Sequence, residues 1–144
     1  MKIPIVHLQV VRDRQADYCS GSISSPGKAA EWMEGILGNA SREQVVVCCM
    51  DGRMEPAHID IAGVGGSTGC PCPIPEIFRT ALVTNASSVM LFHNHPSGDA
   101  SPSGQDIALT EKLRAAGELL QMPVKDHIIL GDGEYYSFHE EGML

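Results

Sequence analysis

The residues best suited to chemistry lie in one short stretch, from His93 to Asp106. His93 and His95 follow a continuously apolar run that is typical of a buried strand. Because side chains two apart on a strand point to the same side, the two imidazoles can converge on one ion while Asn94 points away. A segment rich in Pro and Gly then brings Asp106 into the first turn of a predicted helix.

Two imidazoles and one carboxylate form a ligand set that suits zinc. Three protein ligands leave a tetrahedral zinc ion with one open position for water. Bound zinc lowers the pKa of that water to about 7 and so supplies a nucleophile at neutral pH. The stretch therefore predicts a hydrolytic site with one zinc ion per chain.

A purely structural interpretation competes with the metal site. Two histidines at this spacing also occur at solvated strand ends. Ser103 and Asp106 have the Ser-x-x-Asp spacing of a capping box, in which the two side chains bond to the N–H groups at a helix start. A helix N-terminus beside two imidazoles would in turn favour the charged, metal-binding form of Asp106. Spacing alone leaves both interpretations open.

The elements that would hold these residues alternate between strand and helix patterns. Val45–Met50 and Ser88–Phe92 are short apolar runs that predict strands buried on both faces. The full set of predictions is strands at 3–11, 45–50, 53–64, 88–92, 127–130 and 135–138, and helices at 26–37, 75–85 and 104–120. The order predicts a single α/β domain over 1–144, with a core of about 22–140, an N-terminal strand within 1–14, and helices covering the sheet.

Charge and composition limit the classes of function. The 144 residues carry a formal net charge of -8 and no cluster of basic residues, which disfavours binding to nucleic acid. The sequence contains no apolar run long enough for a membrane span and no signal-like start, and it has five cysteines, an odd number. We therefore expect a cytoplasmic protein with reduced thiols and no membrane association.

Three other groups of residues need an interpretation. Cys70 and Cys72 are separated by one residue on a predicted loop, a spacing that differs from the C-x-x-C of zinc and redox motifs. Cys48 and Cys49 are adjacent in a predicted strand and are interpreted as apolar core residues on opposite faces. Asp126-His127 is either a pair that orients a metal ligand or a polar entry into a strand.

The sequence resembles the JAB/MPN metalloprotease-type domains. His93-x-His95, seven further residues, Ser103, two residues and Asp106 match the JAMM signature of those domains. The longer text His93-Asn94-His95-Pro96-Ser97-Gly98-Asp99 is more similar to the RadC branch, and so are the downstream stretches around Asp126-His127 and Gly131-Asp132-Gly133. The resemblance spans roughly residues 22–140 and implies a JAB/MPN-like, cytidine-deaminase-like fold with a mixed central sheet. It also implies that zinc is held by His93, His95 and Asp106, with Ser103 supporting the oxyanion.

The resemblance further implies a glutamate upstream of the motif, at the start of a buried strand. Glu43 fits that position, directly before the strand at 45–50, and Glu55 is the competing candidate. The glutamate would take a proton from the attacking water and pass it to the leaving nitrogen.

The function expected from these features is a zinc-dependent hydrolase of JAMM type that cleaves an amide, peptide or isopeptide bond. Its partner would be a peptide or protein substrate of unidentified sequence. The alternatives are a metal-holding binding module or scaffold, and a DNA-processing factor as the RadC name suggests. The helix-hairpin-helix domain that precedes the RadC-like domain in full-length members is not expected in this chain.

Overall fold

The structure is a computed structural model that describes residues 1–18, 20–37, 40–65 and 72–144. Its helices are α1 (Pro26–Leu37), α2 (Ile74–Val83) and α3 (Gly104–Leu119), and its strands are β1 (Gln44–Met50), β2 (Pro56–Val64), β3 (Ser88–Asn94), β4 (Val124–Leu130) and β5 (Tyr135–Ser137). Among the described residues, no helix combines the length and apolar character needed to cross a bilayer.

In the described part of the chain the strands form one mixed sheet with the order β2-β1-β3-β4-β5. β3 and β4 run parallel, whereas the other neighbouring strands pair antiparallel. Helix α3 connects the parallel pair, as a parallel connection requires. The single α/β domain with a mixed sheet and covering helices is therefore as predicted.

Alternating residues of the central strands pack into two separate hydrophobic cores, one on each face of the sheet. Val46, Cys48 and Phe92 pack with α1 on one face of the sheet. Val47 and Leu91 pack with α2 and α3 on the other face. Because both faces are covered, β1 and β3 are buried along almost their whole length, which explains why they appear in the sequence as continuous apolar runs. His93 has the same parity as Leu91 and so faces the side on which α3 lies.

The predicted opening strand at 3–11 is wrong. Residues 1–18 form no helix or strand, and apolar side chains such as Ile5 and Leu8 are exposed. A strand exists only when a neighbour supplies its hydrogen bonds, and an apolar run of β-branched residues does not provide that neighbour. The segment instead contacts the domain at its end, where the Trp32 Nε1–H donates to the Asp17 carbonyl at 2.8 Å.

Two apolar residues of the predicted helices at 75–85 and 104–120 do not belong to the core. Leu82 and Leu120 are 47% and 40% exposed because they lie at or just beyond the ends of α2 and α3. On α3 the buried stripe instead includes Asp106 and Thr110. Gly38, which directly follows the predicted helix at 26–37, and the loop cysteine Cys70 lie outside the described residues.

Candidate metal centre

The structure brings four of the predicted site residues to one place. Ligand atoms of Glu43, His93, His95 and Asp106 all lie within 4.8 Å of one another. The His93 Nε2 is 2.9 Å from the His95 Nε2, 3.3 Å from an Asp106 carboxylate oxygen and 3.7 Å from a Glu43 carboxylate oxygen. The His95 Nε2 is 3.3 Å from the other carboxylate oxygen of Asp106, Oδ2.

The end of β3 and the turn after it direct the two imidazoles. His93 is the last inward-facing residue of the strand, and its side chain is 2% exposed. His95 follows the strand, with a 17% exposed side chain, and its backbone N–H donates to the Leu130 carbonyl of β4 at 2.8 Å. The predicted convergence of the imidazoles follows from this two-residue spacing.

Asp106 caps helix α3 and faces the imidazoles at the same time. Its carboxylate accepts from the Ser103 backbone N–H at 2.8 Å, and the Ser103 hydroxyl accepts from the Asp106 N–H at 3.1 Å. The two competing interpretations of this residue are therefore compatible, because the carboxylate has lone pairs for both partners. Burial raises the pKa of Asp106, but the hydrogen bonds from His93, His95 and the Ser103 N–H outweigh it and hold the pKa well below its ordinary value.

Ser103 lies at the rim of the group on an exposed N-cap position. Its hydroxyl oxygen accepts the capping hydrogen bond, which leaves the O–H hydrogen available to a further acceptor. The capping role therefore does not prevent Ser103 from donating to a substrate oxygen.

Sheet register places Glu43 beside the histidines. Val45 pairs with His93 across β1 and β3, so continuing the antiparallel register sets Glu43 opposite His95. Glu55, the competing candidate, lies in the turn after β1 and is not among the clustered residues. A seven-residue strand spans roughly 20 Å, so Glu55 is at the far end of the sheet from this group.

Asn94 fixes the segment that carries Glu43. Its side-chain oxygen accepts from the Gln44 N–H at 2.8 Å, and its side-chain nitrogen donates to the Arg42 carbonyl at 3.0 Å. Asn94 does point away from the imidazoles, as predicted, but the spacing of the motif does not indicate this supporting role. Its position between two candidate ligands is the signal that could have drawn attention to it.

His127 belongs to the same polar cluster, whereas its neighbour Asp126 does not. The His127 Nε2 lies 2.7 Å from the His93 Nδ1. Asp126 faces the other way and accepts from the Ser137 hydroxyl at 2.6 Å and the His139 N–H at 3.0 Å. Only one member of the predicted pair therefore contacts a candidate ligand.

The described cysteines take no part in the group. Cys48 and Cys49 are fully buried and pack in different cores, on opposite faces of β1 as predicted. Burial raises the pKa of Cys48 to about 12 and that of Cys49 to about 11, so both remain thiols at neutral pH. Cys72 is buried in the core beside α2, and Cys70 lies outside the described residues.

The donor set fits a divalent metal ion. With zinc–nitrogen bonds of about 2.0–2.1 Å, two corners of a tetrahedron are roughly 3.3 Å apart, and the distances between the ligand atoms of His93, His95 and Asp106 are 2.9–3.3 Å. The His95 Nδ1 lies 2.8 Å from the Asp99 carbonyl, which can only accept, so a neutral His95 directs its Nε2 lone pair at the group. Two imidazoles and two carboxylates in one place are the donor types that bind a divalent cation.

Comparison with known proteins agrees with this geometry. The chain matches the RadC-like JAB domain over residues 23–143. It is similar to UPF0758 proteins from Thermotoga maritima, with 43% identity over 72% of this chain and 46% of the relative, and from Roseiflexus castenholzii, with 36% identity over 84% and 52%. A UPF0758 protein from Pelobacter propionicus is 38% identical over 84% of this chain and 53% of its own length.

The chain spans about half the length of the curated relatives it matches. The matched region nevertheless includes every residue of the clustered group and every described helix and strand. The chain therefore belongs to the family of RadC-like JAB domains.

Proposed function

We propose that this chain is a zinc-dependent hydrolase of JAMM type that cleaves an amide, peptide or isopeptide bond in a peptide or protein substrate. The observation that supports the proposal is the convergence of Glu43, His93, His95 and Asp106 at one end of the sheet. His93, His95 and Asp106 would hold the ion. When bound, zinc would polarise a carbonyl and lower the pKa of water to about 7.

The remaining residues supply proton transfer and charge stabilisation. Glu43 has a partly exposed carboxylate on the solvent side of the group, at 24% exposure, so a water molecule and a substrate can both reach it. It accepts a proton from the attacking water and returns that proton to the leaving nitrogen. The Ser103 O–H, which the helix cap leaves available, donates to the oxygen on which negative charge develops.

The metal is tested first, by measuring the zinc content of the purified chain. We expect about one zinc per chain, lost in the double variant His93→Ala/His95→Ala. The matched control is His7→Ala/His58→Ala, which removes two imidazoles that lie outside the cluster. Equal zinc content in the two double variants would refute the metal site.

Hydrolysis is tested next, with a panel of peptide, isopeptide and small amide substrates. We expect Glu43→Gln to keep zinc and to lose turnover, whereas Glu55→Gln at the other end of β1 keeps both. Zinc binding with no turnover across the panel would favour a metal-holding scaffold. DNA affinity that falls steeply with added salt would favour a DNA-processing factor instead, against the charge of -8.

A further inference from the structure

A third histidine, fully buried, lies behind the candidate metal centre. His127 is on β4, next to β3, and its side chain is 0% exposed. Its Nε2 lies 2.7 Å from the His93 Nδ1, and its Nδ1 lies 2.7 Å from the Thr110 hydroxyl. Thr110 is on α3, one turn after Asp106. The contacts therefore join both sides of the metal centre through the protein interior.

The donor and the acceptor of each hydrogen bond in this series can be assigned by starting from the Thr110 hydroxyl. The Thr110 hydroxyl lies 2.8 Å from the Asp106 backbone carbonyl, which can only accept, so the hydroxyl hydrogen points there. The hydroxyl oxygen then accepts from the His127 Nδ1–H. A neutral His127 is left with a lone pair on Nε2, which accepts from the His93 Nδ1–H.

The surroundings of His127 suit the neutral form that this order requires. Its side chain is 0% exposed, and its two ring nitrogens contact an imidazole and a hydroxyl, so no carboxylate of the described residues touches the ring to offset the cost of burying a positive charge. A neutral His127 can accept one hydrogen bond from its neighbour, whereas a protonated one cannot.

We infer that His127 and Thr110 are positioning residues that hold the hydrogen of His93 on Nδ1 and so direct its Nε2 lone pair at the metal. This inference rests on the metal site of the proposed function. Hydrogen bonds of this kind set the ring orientation of metal-bound histidines and raise their basicity. Because the Thr110 hydroxyl also bonds to the backbone of Asp106, it couples the placement of two ligands from different elements.

The first test is the zinc affinity of Thr110 variants, measured by competition with a chelator at fixed pH. Thr110→Val keeps the shape of the side chain but removes the hydroxyl, and we expect it to weaken zinc binding by about 10–100-fold. Thr110→Ser keeps the hydroxyl and should bind zinc like the wild type.

Thr84→Val is the matched control for a general loss of stability. The Thr84 hydroxyl also donates to the carbonyl four residues earlier, at 2.8 Å from Thr80, but it lies at the end of α2, away from the metal centre. We expect this variant to keep wild-type zinc affinity. Equal zinc affinities in Thr110→Val and the wild type would overturn the inference, and so would equal losses in the two valine variants.

The second test reads the hydrogen positions directly from the histidine ¹⁵N chemical shifts of the metal-free protein. We expect His93 and His127 both to carry hydrogen on Nδ1 in the wild type, with the preference of His127 lost in Thr110→Val. Hydrogen on Nε2 of wild-type His127 would overturn the inference even if the variants failed to fold. A wild type that bound no zinc but showed these shifts would refute the proposed metal function and keep the hydrogen-bond order.

Discussion

His93 and His95 lie two residues apart and present the same ring atom to one cluster, but the chain supports them differently. The Nδ1 of buried His93 contacts a side chain, that of His127 on the neighbouring strand. The Nδ1 of the more exposed His95 contacts a backbone carbonyl, that of Asp99, four residues later in the same loop. One ligand therefore depends on side-chain chemistry and the other on the shape of a loop.

The two kinds of support are sensitive to different substitutions. The loop that holds His95 turns at Gly98, whose φ of +88° lies in the left-handed region. The Gly98 carbonyl accepts from the Asp132 N–H at 2.7 Å, so the loop packs on the turn between β4 and β5. Gly131 in that turn approaches the loop so closely that a Cβ would lie 2.4 Å from the Gly98 oxygen. Changes of backbone volume should therefore disturb His95, and changes of polar side chains should disturb His93.

The largest effect is expected from Gly131→Ala. The new methyl would collide with two backbone atoms, the Gly98 oxygen and the Ala100 nitrogen, neither of which can move without moving the loop. We expect the free energy of unfolding to fall by about 1–3 kcal/mol. Zinc affinity should fall beyond the roughly 10–100-fold range of a lost supporting hydrogen bond.

Chelator competition and urea unfolding measure the two quantities for Gly131→Ala. Gly35→Ala is the control, because its added Cβ on α1 would meet no atom within 4 Å. Wild-type zinc affinity in Gly131→Ala would show that the loop does not determine the position of His95.

Asn94 combines the two kinds of support, because its side chain holds a backbone segment, the one that carries Glu43. Asn94→Ala would leave the Gln44 N–H and the Arg42 carbonyl without their partner and so release Glu43. Misplacing a reacting group by about 1 Å can cost roughly 100-fold in rate, so we expect a loss of that order in turnover with zinc affinity almost unchanged. Faster hydrogen exchange of the Gln44 amide would accompany it.

Asn94→Asp separates the two hydrogen bonds of this side chain. It keeps the acceptor for the Gln44 N–H and removes the donor to the Arg42 carbonyl. The exchange rate of the Gln44 amide should therefore lie between those of the wild type and Asn94→Ala. Unchanged turnover and unchanged Gln44 amide exchange in Asn94→Ala would show that Asn94 does not hold Glu43 in place.

The site residues that the sequence predicts best are those that lie closest to one another in the sequence. His93, His95 and Asp106 lie within one stretch, where the period of a strand and the start of a helix fix their directions. Glu43 lies 50 residues before His93, and only the pairing of β1 with β3 brings it close. Local pattern could not supply that pairing, and the residue was identified from the family resemblance alone.

The missed residues and the wrong strand have one common cause. Asn94 and Thr110 act through partners that are distant in sequence or on another element, so a polar residue in an apolar stretch was the only local signal. Residues 3–11 have a strand-like composition but no neighbouring strand in the structure. In each case the deciding partner is non-local, whereas helices and central strands were predicted from patterns within the segment.

A smaller effect on zinc affinity is expected from changing Glu134, whose side chain contacts the loop that holds His95. Its carboxylate accepts from the Ala100 N–H at 3.0 Å and ties down the end of the loop. The side chain is exposed, so Glu134→Ala should cost about 0.5–1.5 kcal/mol at most, which limits the loss of zinc affinity to roughly tenfold. Glu134→Gln keeps the accepting oxygen and should stay close to wild type. A loss as large as that of Gly131→Ala would mean that this one hydrogen bond, not the close packing, holds the loop.

The smallest expected effect is a pH dependence of the stability of the metal-free protein, which comes from His95. The hydrogen bond with Asp106 raises the pKa of His95 above its ordinary value of about 6.5, although burial opposes it. Protonated His95 therefore stabilises the fold, fully below about pH 6.5 and progressively less as the pH rises through the folded-state pKa. Asp106 itself contributes a constant amount in this range, because its lowered pKa means that its contribution is lost only as the pH falls below about 4.

Zinc should reverse the sign of this dependence. The metal needs neutral His95, so zinc stabilisation grows over the same interval in which the protonated imidazole stops contributing. Burial lowers the pKa of His127, which gives a pH dependence of the opposite sign near pH 6.5, so the contribution of His95 is measured as the difference between the wild type and His95→Gln. In urea unfolding at several pH values above about 6, the stability of the metal-free wild type relative to His95→Gln should fall as the pH rises, and with zinc it should rise instead. Equal pH dependence of the metal-free wild type and His95→Gln would show that the His95 and Asp106 pair adds nothing to stability. The loop would then hold His95 in place through its backbone contacts alone.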